Sequence, residues 1–200
     1  MELSTFVSTA AMTTESSRPA APETKGPVIV AAGRRVDVPG TTMPRFPPEN
    51  VPLVHTRIHE LIEREHPVAV VASAACGADL LLLQAAQEAQ SQLHVLLPAS
   101  PEQFRESSVA DRPGNWSEIY SDILRHADVK VLNLPDGQEG YLAINLQLLD
   151  TAQAVAADYR TDLLAVVIWN QESRGDDDVT AHFLQEAQRR HMAVREISTL

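Results

Sequence analysis

Small residues fill the stretch from Ser73 to Asp79, whose sequence is Ser-Ala-Ala-Cys-Gly-Ala-Asp and which separates an apolar segment from a Leu- and Ala-rich helical pattern. Small side chains let a ligand approach the backbone closely, and free amide groups at a helix N-terminus attract anions. A second such place is Gly33-Arg34-Arg35, where an arginine can donate paired hydrogen bonds to a phosphate. These two motifs are compatible with a pocket for a small phosphate-bearing molecule.

Both motifs also have a purely structural interpretation, which the sequence leaves open. A carboxylate at position 79 would stabilise the start of the following helix through the helix dipole. Arg34 or Arg35 would then be a solvated loop residue paired with Asp37.

Three further features could carry chemistry, and for each we favour the structural interpretation. Asp176-Asp177-Asp178 could bind a divalent cation through clustered oxygens, but such a run is more typical of a solvated loop before a helix. Cys76 lies near a predicted helix N-terminus, which lowers a thiol pKa, yet it is expected to be a small buried packing residue. His55 and His59 share a helix face without an evident third ligand. We therefore expect no catalytic residue, no metal and no cofactor.

The elements that would position the motifs alternate between short β-branched runs and helix-period segments, which is the pattern of repeated βα units. The predicted fold class is α/β, a Rossmann-like three-layer α/β/α arrangement with a mostly parallel sheet. Right-handed crossovers place the loops that follow the strands at one edge of the sheet. The predicted strands are residues 28–32, 68–72, 93–97, 129–132, 163–169 and 193–197.

The helices follow from apolar residues at helical spacing, and the longest is predicted over residues 141–159. The proline-rich stretch from Val38 to Pro52 is predicted to be loop, because proline breaks both regular elements. The strand over residues 163–169 is the most continuously apolar and is predicted to be central in the sheet.

The chain has 200 residues, of which 44% are hydrophobic and 22% charged, and this suits one domain with a full core. We expect residues 1–26, rich in Ser, Thr, Ala and Pro, to be a flexible tail, with a short amphipathic helix over Leu3, Phe6 and Val7 as the alternative. Residues 27–200 are then expected to form one domain.

Net charge and composition set expectations about partners and location. The formal net charge of -11 predicts repulsion of polyanions, so we expect no general nucleic-acid binding and no membrane association. One cysteine permits no intramolecular disulfide, and no apolar run is long enough to cross a bilayer. A cytoplasmic location is expected.

The order and spacing of these motifs resembles the SLOG superfamily, a group of Rossmann-like domains related to the DNA-processing protein DprA and to the lonely guy phosphoribohydrolases. The resemblance covers most of residues 28–197 and includes Asp37, Pro39, Arg45-Phe46-Pro47, Leu96-Leu97-Pro98, Phe104, Ser108-Val109 and Trp116. It implies a pocket formed by the first two strand-end loops. The ligand-binding residues that it implies are Gly33, Arg34, Arg35, Ser73, Ala74, Gly77, Asp79 and Thr180.

The resemblance weakens at Gly175-Asp176-Asp177-Asp178-Val179-Thr180, where the family has a glycine pair followed by threonine. Thr180 is retained, but a carboxylate in place of glycine would repel phosphate. The position of the hydrolase branch's catalytic acid holds His182 or Phe183, so enzyme activity is less expected than binding. Three functions remain open: a sensor of a nucleotide-derived ligand that acts on an effector protein or a second copy of the chain, an N-glycosidase acting on nucleoside monophosphates, and a scaffold with a vestigial pocket.

Overall fold

The computed structural model describes residues 26–175 and 177–200, so the predicted tail lies outside the described residues apart from Gly26. Each of the first five strands is followed by a helix, and a 3-10 turn, Pro48–Asn50, precedes the first helix. The strands are β1 (Val28–Gly33), β2 (Ala69–Ala72), β3 (Gln92–Leu97), β4 (Asp128–Val131), β5 (Leu163–Trp169) and β6 (Ala193–Ser198). The helices are α1 (Val51–Glu65), α2 (Ala78–Glu88), α3 (Pro101–Ser108), α4 (Trp116–His126), α5 (Gln138–Tyr159) and α6 (Val179–Arg189).

Within the described residues the strands form one parallel sheet in the order β4-β3-β2-β1-β5-β6. This confirms the Rossmann-like three-layer α/β/α fold. The chain builds outward from β1 as far as β4 and then returns through α5 to place β5 on the other side of β1. The register pairs Val28 with Leu163 and Gly33 with Ile168. The crevice between the carboxyl ends of β1 and β5 is therefore the topological switch point of the sheet, where open α/β folds bind ligands.

Two apolar layers explain why the interior strands β1, β2 and β5 are continuously hydrophobic. In β1, Ile29 and Ala31 pack into the layer that contains α1, α2, α3 and α4, whereas Val28 and Val30 pack into the layer with α5 and α6. Successive strand residues point to opposite faces, so a strand covered on both sides needs an apolar residue at every position. In the described part of the chain, no helix has the length and apolar character that crossing a bilayer requires.

Four details differ from the sequence-based expectations. Pro52 is not in a loop but in the first turn of α1, where a missing backbone N–H breaks no helical hydrogen bond. The short helix α3 was not predicted, and α5 begins at Gln138 rather than at Tyr141. The strand β5 is interior but second from the sheet edge, because β6 alone lies outside it.

Candidate functional site

A cavity of about 460 Å³ opens at the carboxyl ends of β1 and β2. Its lining comes from the β1–α1 loop, the turn between β2 and α2, the end of α3 and the loop after it, one face of α5 and the start of α6. Gly33 and Ser73 both line it, so the two motifs singled out in the sequence share one hollow. The volume lies in the range of cavities that hold a small organic ligand.

The cavity is rich in arginine although the chain is acidic. Five of the 16 basic residues of the chain line it, against two acidic residues, Asp37 and Asp79. The five are Arg34, Arg35, Arg45, Arg112 and Arg174. The local field of the cavity is thus set by a concentration of guanidinium groups that the net charge of the chain does not reveal.

Arg34 is buried and fully committed to protein groups. Its two terminal nitrogens donate to the two carboxylate oxygens of Asp178, each at 2.7 Å, which is a bidentate pair. Its Nε donates to Asn170 Oδ1 at 3.2 Å, and a terminal nitrogen also donates to the carbonyl of Glu172 at 2.8 Å. The alternative in which Arg34 is a solvated loop residue paired with Asp37 does not hold, because Arg34 is buried and Asp37 accepts from the backbone amides of Arg45 and Phe46.

Asp178 is the N-cap residue of α6 and has no exposed side-chain surface. Its Oδ1 accepts from the amides of Thr180 and Ala181 at 3.0 and 3.2 Å, and its Oδ2 accepts from the amide of Arg174 at 2.8 Å. Burial would raise the pKa of this carboxyl, but the Arg34 hydrogen bonds and the backbone amides outweigh burial and hold the pKa well below its usual range.

The carboxylate of Asp178 therefore lies at the N-terminus of α6, a position where backbone amides attract anions. An internal anion thus already accepts hydrogen bonds from the amides of Thr180 and Ala181 at this helix start. The strand-end crevice is filled by the protein's own side chains at β5, as a vestigial scaffold would require, yet the cavity beside β1 and β2 stays open.

Arg35 and Arg112 share one carboxylate, because both donate to Asp111, each to a different oxygen. The Nε of Arg112 also donates to the carbonyl of Val36 at 2.9 Å, whereas the buried Nε of Arg35 has no hydrogen-bond partner among the described residues. No hydrogen bond or ion pair joins the guanidinium of Arg45 to any residue in the described part of the chain. This side of the cavity thus keeps unneutralised positive charge.

Asp79 lies on the cavity wall at the start of α2 and is 8% exposed. Burial raises its pKa to about 7, against hydrogen bonds from the amides of Ala75 and Gly33 and the charge of Arg35, which lower it. A carboxyl whose pKa is raised this far toward neutrality has the property that a general acid or base needs. Its position in the first turn of α2 is also the one that the structural interpretation predicts.

One face of α5 forms the apolar wall of the cavity. Tyr141, Ile144, Asn145 and Leu148 line it at positions i, i+3, i+4 and i+7, which share one side of a helix. Tyr141 is 37% exposed at this wall, so its ring is available for contact. The cavity is consequently polar and cationic on one side and aromatic and aliphatic on the other.

Most of the predicted binding residues line the cavity, and two do not. Gly33, Arg34, Arg35, Ser73, Asp79 and Thr180 line it. Ala74 is buried in the core, and Gly77, with a φ of 100°, lies so close to the β1–α1 loop that a Cβ would come within 2.7 Å of the amide nitrogen of Val36. The glycine at position 77 is thus explained by backbone packing against Arg34, Arg35 and Val36.

Sequence reasoning did not assign Arg112, Tyr141 and Asn145 to the site, and it gave Arg45 no binding role. Arg112 and Arg45 lie in irregular loops whose path a periodic pattern does not predict. The α5 residues had a usable signal, because a tyrosine and an asparagine interrupt an otherwise apolar helical stripe facing the sheet.

The structure also locates the cysteine, histidine and aspartate residues that the sequence offered as further candidates. Burial raises the pKa of the Cys76 thiol and nearby Arg35 only partly offsets this, so Cys76 is a poor nucleophile. Among the described residues no group of three or more His, Cys, Asp or Glu side chains is arranged to hold a metal ion. The Nε2 atoms of His55 and His59 lie 3.1 Å apart on α1. In the aspartate run, Asp177 accepts a hydrogen bond from Gln138, and Asp176 lies outside the described residues.

Comparison with known proteins gives likeness of fold alone. No protein-family description and no curated protein matches the chain. Among solved structures, DNA processing protein A from Streptococcus pneumoniae is 15% identical with a TM-score of 0.42, and the alignment covers 85% of this chain but 58% of that one. The Moco Carrier Protein from Chlamydomonas reinhardtii is 12% identical with a TM-score of 0.36, covering 88% and 92% of the two chains.

One expectation about partners is wrong. DNA processing protein A from Helicobacter pylori, 15% identical with a TM-score of 0.34 over 86% of this chain and 75% of its own, is described as having a single-stranded DNA binding mode. This finding contradicts the exclusion of nucleic acids that we drew from the net charge of -11. The physical reason is that net charge averages over the whole surface, whereas this chain concentrates five arginines around one cavity.

Proposed function

We propose that the chain binds a small nucleotide-type ligand in the arginine-lined cavity and acts as a sensor, passing the binding event to an effector protein or to a second copy of itself. The observation that carries the proposal is the presence of five arginines around one cavity of an acidic chain. Guanidinium groups bind phosphate oxygens through paired, charge-assisted hydrogen bonds.

The arginines divide into a structural and a ligand-binding set. The guanidinium of Arg34 donates all its hydrogen bonds to Asp178, Asn170 and the carbonyl of Glu172. It therefore stabilises the β5–α6 loop and does not contact a ligand. Arg35 and Arg112 share one anionic partner, Asp111, and no other acidic side chain pairs with either of them among the described residues. The guanidinium of Arg45 has no anionic partner there. We therefore place the phosphate of the ligand against Arg35, Arg45 and Arg112.

The test is calorimetric titration of AMP, cyclic AMP and ADP-ribose against the wild-type chain, with adenosine as the ligand that lacks phosphate. Arg45→Ala should weaken binding of the phosphorylated compounds by about tenfold to a hundredfold, since a hydrogen bond to a charged group is worth roughly 1.5–3 kcal/mol. It should leave folding intact, because the Arg45 guanidinium makes no hydrogen bond or ion pair to a described residue that the change would break.

Arg125→Ala is the matched control, since Arg125 is exposed on α4 and pairs with Asp122 away from the cavity. It should bind all ligands as the wild type does. Equal affinities of the Arg45 and Arg125 variants, or no binding of any phosphorylated compound at millimolar concentration, would contradict the proposal.

An N-glycosidase is the second candidate, and the cavity carboxyl of Asp79 favours it. An acid with a pKa of about 7 can protonate a departing base at neutral pH. Incubation of the chain with AMP would then release adenine, and Asp79→Asn would abolish release while retaining AMP binding. Binding of AMP without any release of adenine by the wild type leaves the sensor role and rules out this candidate.

A further inference from the structure

The apolar wall of the cavity contains one amide whose orientation is fixed by its neighbours. Asn145 is 2% exposed on α5. Its Nδ2 donates to the carbonyl of Val179 at 2.8 Å and lies 3.2 Å from Nδ1 of His182. Because only Nδ2 can donate to a carbonyl, these contacts decide which side of the amide carries the oxygen.

The carbonyl oxygen of this amide is left for another partner. No described residue donates a hydrogen bond to Asn145 Oδ1, although Asn145 lines the cavity. This oxygen is not among the buried unpartnered side-chain atoms of the described residues, so it is in contact with solvent. A ligand N–H group that reaches it would replace a hydrogen bond to water, and a ligand without such a group would lose that bond.

The neighbours of Asn145 fit the flat ring that would carry such a donor. Tyr141 lies one helical turn before it and is partly exposed, and Ile144 and Leu148 complete the same face of α5. The aromatic ring of Tyr141 and the two aliphatic side chains provide a platform on which a heterocycle can stack. This platform lies on α5, in the helix layer on the opposite face of the sheet from α1 to α4.

We propose that Asn145 is a specificity-determining residue, which accepts a hydrogen bond from the amino or ring N–H group of a nucleobase stacked on Tyr141. The inference rests on the proposed function, since it names the part of the ligand that lies opposite the phosphate. It assigns the ligand to the phosphates of purines that carry an N–H donor on the base edge, rather than to any phosphorylated compound.

The experiment compares AMP and GMP with purine riboside 5′-monophosphate, whose base has no amino group and no ring N–H on that edge. All three carry the same phosphate and ribose, so Arg45 acts on them equally. The wild type should bind AMP or GMP at least tenfold more tightly than the donorless compound. Asn145→Ala should bring the three affinities together, with its melting temperature measured to confirm folding.

Tyr141 provides a second variant that does not disturb a buried hydrogen bond. Tyr141→Ala should weaken all three compounds by a similar factor, and Tyr141→Phe should restore affinity because the ring is what binds. Three equal affinities in the wild type overturn the inference and leave phosphate binding standing. Failure of all three compounds to bind overturns both the inference and the proposed function.

Discussion

Replacing Asp178 with alanine is expected to lower the free energy of unfolding by about 3–5 kcal/mol, the largest effect of any single substitution in this chain that we predict. The change removes both acceptors of the Arg34 pair and leaves a guanidinium that is 6% exposed without its counterion. It also removes the N-cap of α6 and the acceptor for the amide of Arg174. Urea-induced unfolding at pH 7, followed by circular dichroism, measures the loss.

Asp177→Ala is the matched control, because Asp177 is exposed and its described partner is Gln138. It should change stability by less than about 0.5 kcal/mol. Adding Arg34→Met to Asp178→Ala should recover part of the loss, since the uncompensated buried charge disappears. A loss for Asp178→Ala of no more than about 1 kcal/mol would show that the pair does not hold α6 to the end of β1.

The Arg34–Asp178 pair also shows what a sequence pattern cannot predict. The two residues are 144 positions apart and meet because β5 pairs beside β1. Local periodicity predicted both strands correctly, because buried parallel strands need apolar residues on both faces, but it says nothing of their order in the sheet. Only that order decides that an aspartate of the β5–α6 loop, rather than a ligand, satisfies Arg34.

The candidate site divides in the same way. The turn from Ser73 to Asp79 and the Gly33 loop were predicted, because the carboxyl ends of adjacent parallel strands meet at one sheet edge. Arg112 follows α3, a short polar helix in which Phe104 and Ser108 are buried, so its apolar pattern was too sparse to indicate a helix. The position of Arg112 at the cavity depends on how this helix packs in the folded chain, and local periodicity does not predict that packing.

Asp79 is expected to make the stability of the chain fall as pH rises from about 4.5 to 8. In the unfolded chain an aspartate ionises near pH 3.9, whereas burial keeps Asp79 protonated in the folded chain up to about pH 7. Between these values the unfolded state alone is ionised at this residue, so each step up in pH favours unfolding, and above about pH 8 the effect is complete. The shift corresponds to about 2–4 kcal/mol.

Asp79→Asn isolates this contribution, because asparagine occupies nearly the same volume and does not ionise. The substitution also alters the hydrogen bonds from Ala75 and Gly33, but this effect is the same at every pH. The quantity to compare is therefore how the difference in free energy of unfolding between the variant and the wild type changes with pH. That difference should move in favour of the variant by about 2–4 kcal/mol from pH 4.5 to 8.

The titration of Asp178 does not affect this comparison. The pKa of Asp178 is depressed in the folded chain, so the stability that it contributes is lost only as pH falls below about 3.9. A difference that stays flat over this range would mean that Asp79 is ionised in the folded chain, and the acid required for base release would then be missing from the cavity.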